Sequence, residues 1–214
     1  MSGFVIAVDG PAASGKGTIA AELGAHFGLP VLDTGLLYRA VGVTLIAEGG
    51  DLADEAGAAD VARRLDATKL ADPAFRTREA GEAASRVAAY PSVRLALRDF
   101  QRAFAAQAGG AVIDGRDIGT VIAPDAPAKL YVTASAEVRA RRRWLQLKET
   151  EVSYEAVLTD ILRRDARDAG RADSPMRPAD DAVLLDTTEM TIPAAADAAR
   201  RIVEAARARW EIRR

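Results

Sequence analysis

Cysteine is missing from this 214-residue chain, and histidine occurs once, as His26. A chain without cysteine has no thiol nucleophile, no disulfide and no thiolate metal site, and it fits a reducing cytosol. One histidine is too few for a histidine metal site, and we expect His26 to be a surface or interhelix residue of the first helix. No apolar run approaches the ~20 residues that cross a bilayer. The first apolar run begins at Phe4, which leaves no room for a signal peptide, so we expect a cytoplasmic protein.

The chain also lacks a large excess of either charge. Lys and Arg number 29 against 31 Asp and Glu, which gives a formal net charge of -2. This balance argues against electrostatic capture of nucleic acid or of an anionic membrane, because both need a broad basic surface. Hydrophobic residues make up 49% of the sequence, which is enough for a packed core. We therefore expect a monomeric globular protein that binds small molecules through local clusters of charge.

Short apolar runs alternate with longer helical patterns, which is typical of an α/β fold with a mostly parallel sheet between layers of helices. Five strands are predicted, at Phe4–Asp9, Pro30–Leu32, Ala111–Asp114, Lys129–Val132 and Ala182–Asp186. Helices are predicted at Lys16–Phe27, Gly35–Glu48, Glu55–Leu65, Thr77–Ala88, Ser92–Ala108, Ala136–Lys148, Tyr154–Ala169 and Ile192–Arg209. Ligands of such sheets bind beyond the carboxyl ends of the strands, where Asp9, Asp33, Asp114 and Asp186 fall.

No internal repeat and no flexible linker divides the chain, so we predict one domain over residues 1–214. Two longer connections are inserted in it, one over about residues 34–110 and one over about residues 137–180. Both insertions carry helical patterns. Residues 71–76 are predicted to form a loop.

The segment Gly10–Thr18 reads Gly-Pro-Ala-Ala-Ser-Gly-Lys-Gly-Thr and follows the first apolar run directly. A strand, a glycine-rich turn and a helix N-terminus in this order aim backbone N–H groups and one lysine at one small volume, which attracts polyphosphate. Lys16 is expected on the β- and γ-phosphates, and Thr18 at a phosphate or in a magnesium shell. Gly17 stands where most such loops have Ser or Thr, and Gly-Lys-Gly-Thr resembles the variant in nucleoside-monophosphate kinases. The alternative is a chance glycine-rich turn.

The segment Asp114-Gly-Arg-Asp117 stands at the end of a predicted strand. A carboxylate there is expected beside the phosphate loop, where Asp114 would hold magnesium through water and Arg116 would project over the site. The alternative is a plain turn that contains two acids and one base.

Arg164, Asp168 and Arg171 are spaced i, i+4 and i+7, so a helix would place them on one face. Such a face favours either a substrate-binding cluster or a solvated surface with internal ion pairs. Arg139, Arg142 and Arg143 form a similar stripe one helix earlier, and the same two interpretations apply.

The segment from Asp33 to Arg39 joins a predicted strand end to a helix N-terminus. Thr34 is predicted to cap that helix. Capping does not explain Arg39, for which a surface position is an equal alternative.

Together these segments make the chain resemble the bacterial cytidylate kinases over nearly its full length. The resemblance rests on Gly10–Thr18, Leu32–Arg39, Ala83–Arg94, Gln101–Phe104, Asp114–Thr120, Pro124–Pro127 and the Arg164, Asp168, Arg171 set. The first segment is shared by many phosphotransferases. The Ala-Ser…Pro-x-Val-Arg and Asp-Gly-Arg-Asp segments are far more specific to this family.

The resemblance implies a P-loop fold, a three-layer sandwich with a helical monophosphate-binding insert and a lid, in which ATP and CMP bind side by side. The residues it assigns to ATP are Gly10, Pro11, Ala12, Ala13, Ser14, Gly15, Lys16, Gly17 and Thr18. Those it assigns to CMP are Thr34, Arg39, Ser85, Arg94, Arg116, Asp117, Arg164, Asp168 and Arg171. The catalytic set it implies is Lys16, Arg116, Arg164 and Arg171, and the metal set is Thr18 and, through water, Asp114.

The resemblance also implies a division of labour within the CMP set. Ser85, Arg94 and Asp117 match residues that read cytosine. Arg39, Arg116 and Arg171 match residues that hold the acceptor phosphate, and Arg164 and Asp168 match residues at the sugar.

The implied activity is transfer of the γ-phosphoryl group of ATP to CMP or dCMP, with magnesium. Taken without the resemblance, the residues leave open a P-loop kinase of another small acceptor, such as UMP, AMP or shikimate, and a non-catalytic nucleotide switch. The chain departs from the family at about residues 67–76, where other members carry a longer insert with a small antiparallel sheet.

Overall fold

The computed structural model describes residues 3–147 and 152–213. The chain divides into two compact units. We call the residues before Asp33 and after Phe104 the sheet unit, and Asp33–Phe104 the helical unit.

The described residues form a five-stranded sheet in the order β2-β3-β1-β4-β5. Its strands are β1 (Phe4–Asp9), β2 (Val31–Asp33), β3 (Gly110–Gly115), β4 (Ala128–Thr133) and β5 (Val183–Asp186). Strand β1 pairs in parallel with β3 and with β4, and β4 pairs in parallel with β5. The predicted α/β class is confirmed, and the predicted bounds of every strand lie within one residue of the observed bounds.

Helices cover the sheet and build most of the helical unit. Within the described residues they are α1 (Lys16–Phe27), α2 (Thr34–Ala47), α3 (Glu55–Arg63), α4 (Arg78–Val87), α5 (Pro91–Ala105), α6 (Ala136–Gln146), α7 (Tyr154–Ala169) and α8 (Ile192–Ile212). The predicted bounds of α1 and α7 are confirmed. Helix α5 ends at Ala105, three residues before its predicted end, and the predicted end of α6 at Lys148 lies outside the described residues.

The core of the sheet unit follows from the continuous apolar run of its central strand. All six residues of β1 are buried, as expected for a parallel strand covered on both faces. Ile6 and Val8 pack with Val112 of β3, Leu130 of β4 and residues of α1 and α8. This packing fixes the strand end at Asp9, from which the phosphate loop departs.

The helical unit has its own core between α2, α3, α4 and α5. Helices α2 and α4 approach closely at Gly42, where an added Cβ would lie 2.7 Å from the Cβ of Ala83. The prediction of a plain loop over residues 71–76 is wrong in part. Pro73–Arg76 forms a 3₁₀ turn that Asp72 caps by accepting a hydrogen bond from the Ala74 N–H at 2.8 Å, and a second turn lies at Ala67–Lys69.

None of the helices in the described ranges is long and apolar enough to cross a membrane.

Candidate active site

The turn between β1 and α1 adopts backbone conformations that its glycines make possible. Gly10 has a φ of 149°, and an added Cβ there would lie 2.0 Å from the carbonyl oxygen of Val132. Gly15 has a φ of 93° and occupies the N-cap position of α1. Among the described residues no side chain caps this helix, so its N-terminus is open to an anionic ligand.

Arginines of α6 bind the carbonyl groups of this turn. Arg139 donates from Nη1 to the Ala12 carbonyl at 3.3 Å, and Arg142 donates from Nη1 to the Ser14 carbonyl at 3.4 Å. The Thr187 hydroxyl also donates to the Ser14 carbonyl, at 3.1 Å. The C=O and N–H of a trans peptide point in opposite directions, so these bonds turn the N–H groups that follow Ala12 and Ser14 the other way. The turn is thereby shaped as a cradle of donors.

Two polar side chains complete the cradle. The Lys16 Nζ lies 3.6 Å from Oδ1 of Asp114, a buried carboxylate at the end of β3. The Ser14 hydroxyl is buried and has no hydrogen-bond partner among the described residues, which fits a phosphate oxygen as its partner. Thr18 lies exposed in the first turn of α1.

In the sheet unit, the carboxylate of Asp168 lies against three arginine side chains. It is 1% exposed and accepts a hydrogen bond from Arg116 Nε at 3.1 Å and another from Arg171, while Arg164 Nε lies 3.8 Å away. Burial alone would raise the pKa of Asp168, but the guanidinium groups of Arg116, Arg171 and Arg164 outweigh burial and hold that pKa below its ordinary value. A solvated surface is therefore the wrong interpretation of this set.

The helical spacing predicted for this set needs one correction. Helix α7 ends at Ala169, and Gly170 lies in its C-cap position, so Arg171 stands just beyond the helix. Arg171 still reaches Asp168 because the chain turns back after Gly170. A backbone bond from the Met176 N–H to the Asp168 carbonyl, at 2.9 Å, holds that return.

Arg139 and Arg142 on α6 also make hydrogen bonds within the protein, a point on which the sequence left two interpretations open. Arg139 is 5% exposed and binds both carboxylate oxygens of Asp165 on α7, at 3.1 and 2.7 Å. Arg142 binds the Thr187 hydroxyl at 2.9 Å and its carbonyl at 2.6 Å. The arginine at 143 lies near Gln146 on the same helix. Asp165 and Thr187 were missed, and no local signal in the sequence marks them.

Asp9 is a third residue whose importance the sequence did not reveal, beyond its place at a strand end. Its two carboxylate oxygens accept the backbone N–H groups of Ile118 and Gly119, at 2.8 and 2.7 Å. Burial raises the pKa of Asp9 to about 7, although these two bonds act in the opposite direction.

The helical unit holds the other predicted residues. Thr34 does not cap α2, as predicted, but is its first residue, and Asp33 is the cap, accepting from the Gly35 N–H at 2.9 Å. A capping oxygen must precede the helix, and Asp33 is the residue that does so. Arg39 donates from Nη1 to the carbonyls of Phe75 and Thr77, at 3.0 and 3.1 Å, so it is tied to the 3₁₀ turn.

Ser85 on α4 and Arg94 on α5 are buried polar residues of the helical unit. The guanidinium of Arg94 lies 5.8 Å from the ring centre of Tyr38, within range of a cation–π contact. Buried hydroxyl and guanidinium groups on packed helices are held in fixed positions, which suits the recognition of a flat polar ring.

His26 lies at the surface, as predicted, where its Nε2 is 3.2 Å from Oε1 of Glu204 on α8, within hydrogen-bond distance. Groups of three or more His, Asp or Glu residues that would by themselves hold a metal ion are absent from residues 3–147 and 152–213.

The family model and the similar proteins that match this chain carry the same family description. The family model for cytidylate kinase matches residues 6–207. A cytidylate kinase of Caulobacter vibrioides is 66% identical over 212 residues, covering 98% of this chain and all of the relative. A cytidylate kinase of Xanthobacter autotrophicus is 61% identical and covers 96% of this chain and 99% of its own.

Solved structures share the fold at low sequence identity. An uncharacterised protein from Eubacterium ventriosum superposes with a TM-score of 0.58 at 14% identity, covering 94% of this chain and 98% of its own. A sugar kinase from Janibacter sp. superposes with a TM-score of 0.51 at 17% identity, covering 94% and 95%. At these identities the likeness extends to the fold alone.

Proposed function

We propose, from the premise that the chain belongs to the cytidylate kinase family, that it transfers the γ-phosphoryl group of ATP to CMP or dCMP and releases ADP with CDP or dCDP. The observation that carries the proposal is the phosphate loop, whose carbonyls are bound by Arg139, Arg142 and Thr187 so that its N–H groups face a ligand. A nucleoside triphosphate fits such a cradle.

The donor half of the proposed site is Gly10–Thr18. Lys16 would bind the β- and γ-phosphates, and the N–H groups around Ser14 and Gly15 would bind the phosphate oxygens. The acceptor half is assigned residue by residue from the family. In the helical unit its members are Thr34, Arg39, Ser85 and Arg94; in the sheet unit they are Arg116, Asp117, Arg164, Asp168 and Arg171.

Magnesium belongs to the proposal as a companion of ATP. A buried carboxylate, Asp114, beside Lys16 and a hydroxyl, Thr18, in the first turn of α1 fit this ion, which prefers oxygen ligands and keeps water and phosphate among them. When bound, the ion neutralises charge on the phosphates.

Electrostatics is the main requirement of the proposed reaction, because both reactants are anions. Two unit charges 4 Å apart repel by about 1 kcal/mol in water and by several times more in a dry site. Lys16, Arg116, Arg164 and Arg171 would oppose that repulsion and follow the charge into the transition state. The cluster around Asp168 supports this role, since it holds three guanidinium groups in fixed positions before substrate binds.

The chemical step needs no general base. The attacking group is a phosphate oxygen of CMP, which is ionised at neutral pH. As its bond to the γ-phosphorus forms, the bond from that phosphorus to the bridging oxygen of ADP breaks. Catalysis is then positioning and charge stabilisation, and water must be excluded because it would compete as acceptor. We propose the arginine-bearing segment of about residues 137–180 as the lid that excludes it.

A panel of acceptors tests the proposal. ADP release by the purified protein is measured with ATP, magnesium and either CMP, dCMP, UMP or AMP. We expect kcat/KM to be highest for CMP and dCMP, and ADP release to be lost in Lys16→Met. Equal kcat/KM with AMP would refute the proposed acceptor. We also propose that the protein is a monomer and that it acts in the cytoplasm, where ATP and free nucleotides are available.

A further inference from the structure

Asp9 caps a turn that lies more than a hundred residues away in the sequence. It is 3% exposed at the end of β1, and each of its carboxylate oxygens accepts one backbone N–H, from Ile118 at 2.8 Å and from Gly119 at 2.7 Å. These two N–H groups open the single π-helical turn Ile118–Ile122. A buried carboxylate that accepts two N–H bonds is an acceptor of fixed orientation.

The residue in the N-cap position of that turn does not accept these two N–H hydrogen bonds. Asp117 precedes the turn, and within the described part of the chain its side chain makes no capping hydrogen bond. An Asp in that position usually gives its carboxylate to the first N–H groups of the helix. Here Asp9 takes that place, so the capping of the turn does not occupy the Asp117 carboxylate.

Asp9 also fixes the chain on the other side of Asp117. The parallel pairing of β1 with β3 sets Asp9 opposite Gly115. Arg116 and Asp117 therefore lie between two attachments to the same residue, one through the sheet and one through the carboxylate. The residue that follows Asp9 is Gly10, the first of the phosphate loop.

Asp9 and the turn are closely packed at Gly119. A Cβ added to Gly119 would lie 3.3 Å from Oδ2 of Asp9 and 3.2 Å from Cδ of Lys129. The Lys129 side chain is itself held, because its Nζ binds the Asp181 carboxylate at 2.8 Å and the Pro124 carbonyl. The Asp9 carboxylate and the start of the turn are therefore in close contact, with little room between them for an added group.

We propose that Asp9 is a positioning residue for acceptor selection, which sets Asp117 and Arg116 at a fixed place relative to the phosphate loop. The inference rests on the proposed function, in which Asp117 reads cytosine and Arg116 holds the acceptor phosphate. Recognition of a base edge by a carboxylate depends on placement within a fraction of an ångström, and misplacement of about 1 Å costs on the order of 10²-fold in rate.

Asp9→Asn is the direct test, because the amide keeps one acceptor oxygen and replaces the other with a group that cannot accept an N–H. We expect the ratio of kcat/KM for CMP to that for UMP to fall about tenfold or more, while KM for ATP stays within about threefold. Asp54→Asn is the matched control, since Asp54 also caps a helix, accepting from the Gly57 N–H at 3.0 Å. It should leave both quantities unchanged.

A double-mutant cycle separates positioning from general damage. If Asp9 acts through Asp117, then Asp9→Asn should change the CMP-to-UMP ratio less than about twofold in the Asp117→Ala background. Independent, multiplicative effects of the two substitutions would overturn the inference. An unchanged ratio in Asp9→Asn alone would overturn it as well.

A second variant keeps the test valid if Asp9→Asn does not fold, as judged by its thermal melting. Gly119→Ala presses on the same carboxylate from the other side, and we expect it to lower the CMP-to-UMP ratio in the same direction. A folded Gly119→Ala with the wild-type ratio would contradict the inference. A wild type that does not prefer CMP would refute the proposed function instead, so the two failures are distinct.

Discussion

At the scale of single residues, the decisive feature is a buried carboxylate that holds several guanidinium groups. A buried ion pair is costly to assemble and more costly to break, because removing one partner leaves the others buried without their counter-charge. Asp168 forms buried ion pairs of this kind with Arg116, Arg164 and Arg171. These arginines stay close together and charged at neutral pH, which is what an anionic substrate requires.

The lowered pKa of Asp168 gives a prediction for acid stability. Its ordinary pKa is 3.8, and the folded protein holds it below that value. The stabilisation is therefore fully present above pH about 4 and is lost as the pH falls through the folded pKa. We expect Asp168→Asn to lower the free energy of unfolding by about 3–5 kcal/mol at pH 7 and by less at pH 3, where the carboxyl of the unfolded chain is already mostly protonated.

Urea unfolding of both proteins at pH 7 and pH 3 checks this prediction. Asp160→Asn is the control on the same helix, because Asp160 pairs with Arg163, whose side chain is 57% exposed. That substitution should change the free energy of unfolding by less than about 1 kcal/mol at both pH values. A difference between wild type and Asp168→Asn that does not shrink in acid would contradict the assignment.

At the scale of elements, helix α6 is a support for the phosphate loop. Arg142 joins the Ser14 carbonyl to Thr187 in the segment after β5, and Arg139 joins the Ala12 carbonyl to Asp165 on α7. The loop is thus shaped by side chains from two elements that are distant in sequence. Its donor geometry depends on these elements as well as on its own glycines.

Arg142→Ala tests this support. Removing the guanidinium takes one donor from the Ser14 carbonyl and leaves the Thr187 hydroxyl on it. We expect KM for ATP to rise about tenfold, which corresponds to one charge-assisted hydrogen bond of about 1.4 kcal/mol. KM for CMP should change by less than about twofold, as measured by steady-state kinetics. Arg141→Ala, an exposed neighbour on the same helix, should leave both constants at their wild-type values. Equal rises in both constants would show that the effect is not local to the loop.

The elements that the sequence predicts well are those with a strong local pattern. The apolar run Phe4–Asp9 and the glycine-rich turn after it predict β1 and the start of α1 at their observed positions. The contacts of Arg139, Arg142 and Asp9 were out of reach, because their partners lie from 26 to 128 residues away and nothing local marks them. Thr34 was misassigned for a related reason, since two adjacent residues can each cap a helix and only the backbone decides between them.

At the scale of the whole molecule, a near-neutral net charge is compatible with phosphate binding because the arginines are concentrated at the site. Arg makes its strongest contacts with phosphate through paired hydrogen bonds, and local placement serves this better than a basic surface does. The fold supplies that placement at the carboxyl ends of β1 and β3, where Asp9, the phosphate loop and the Asp114–Asp117 segment meet. Family membership and this arrangement lead to the same conclusion, a kinase of cytidine monophosphates.

The destination of the γ-phosphoryl group tests that conclusion most directly. ATP labelled in its γ-phosphate is incubated with the protein, magnesium and CMP, and the labelled products are separated. We predict that the label appears in CDP, with little inorganic phosphate, and that omission of CMP leaves it in ATP. Label that appears as inorganic phosphate at the same rate with and without CMP would contradict the account.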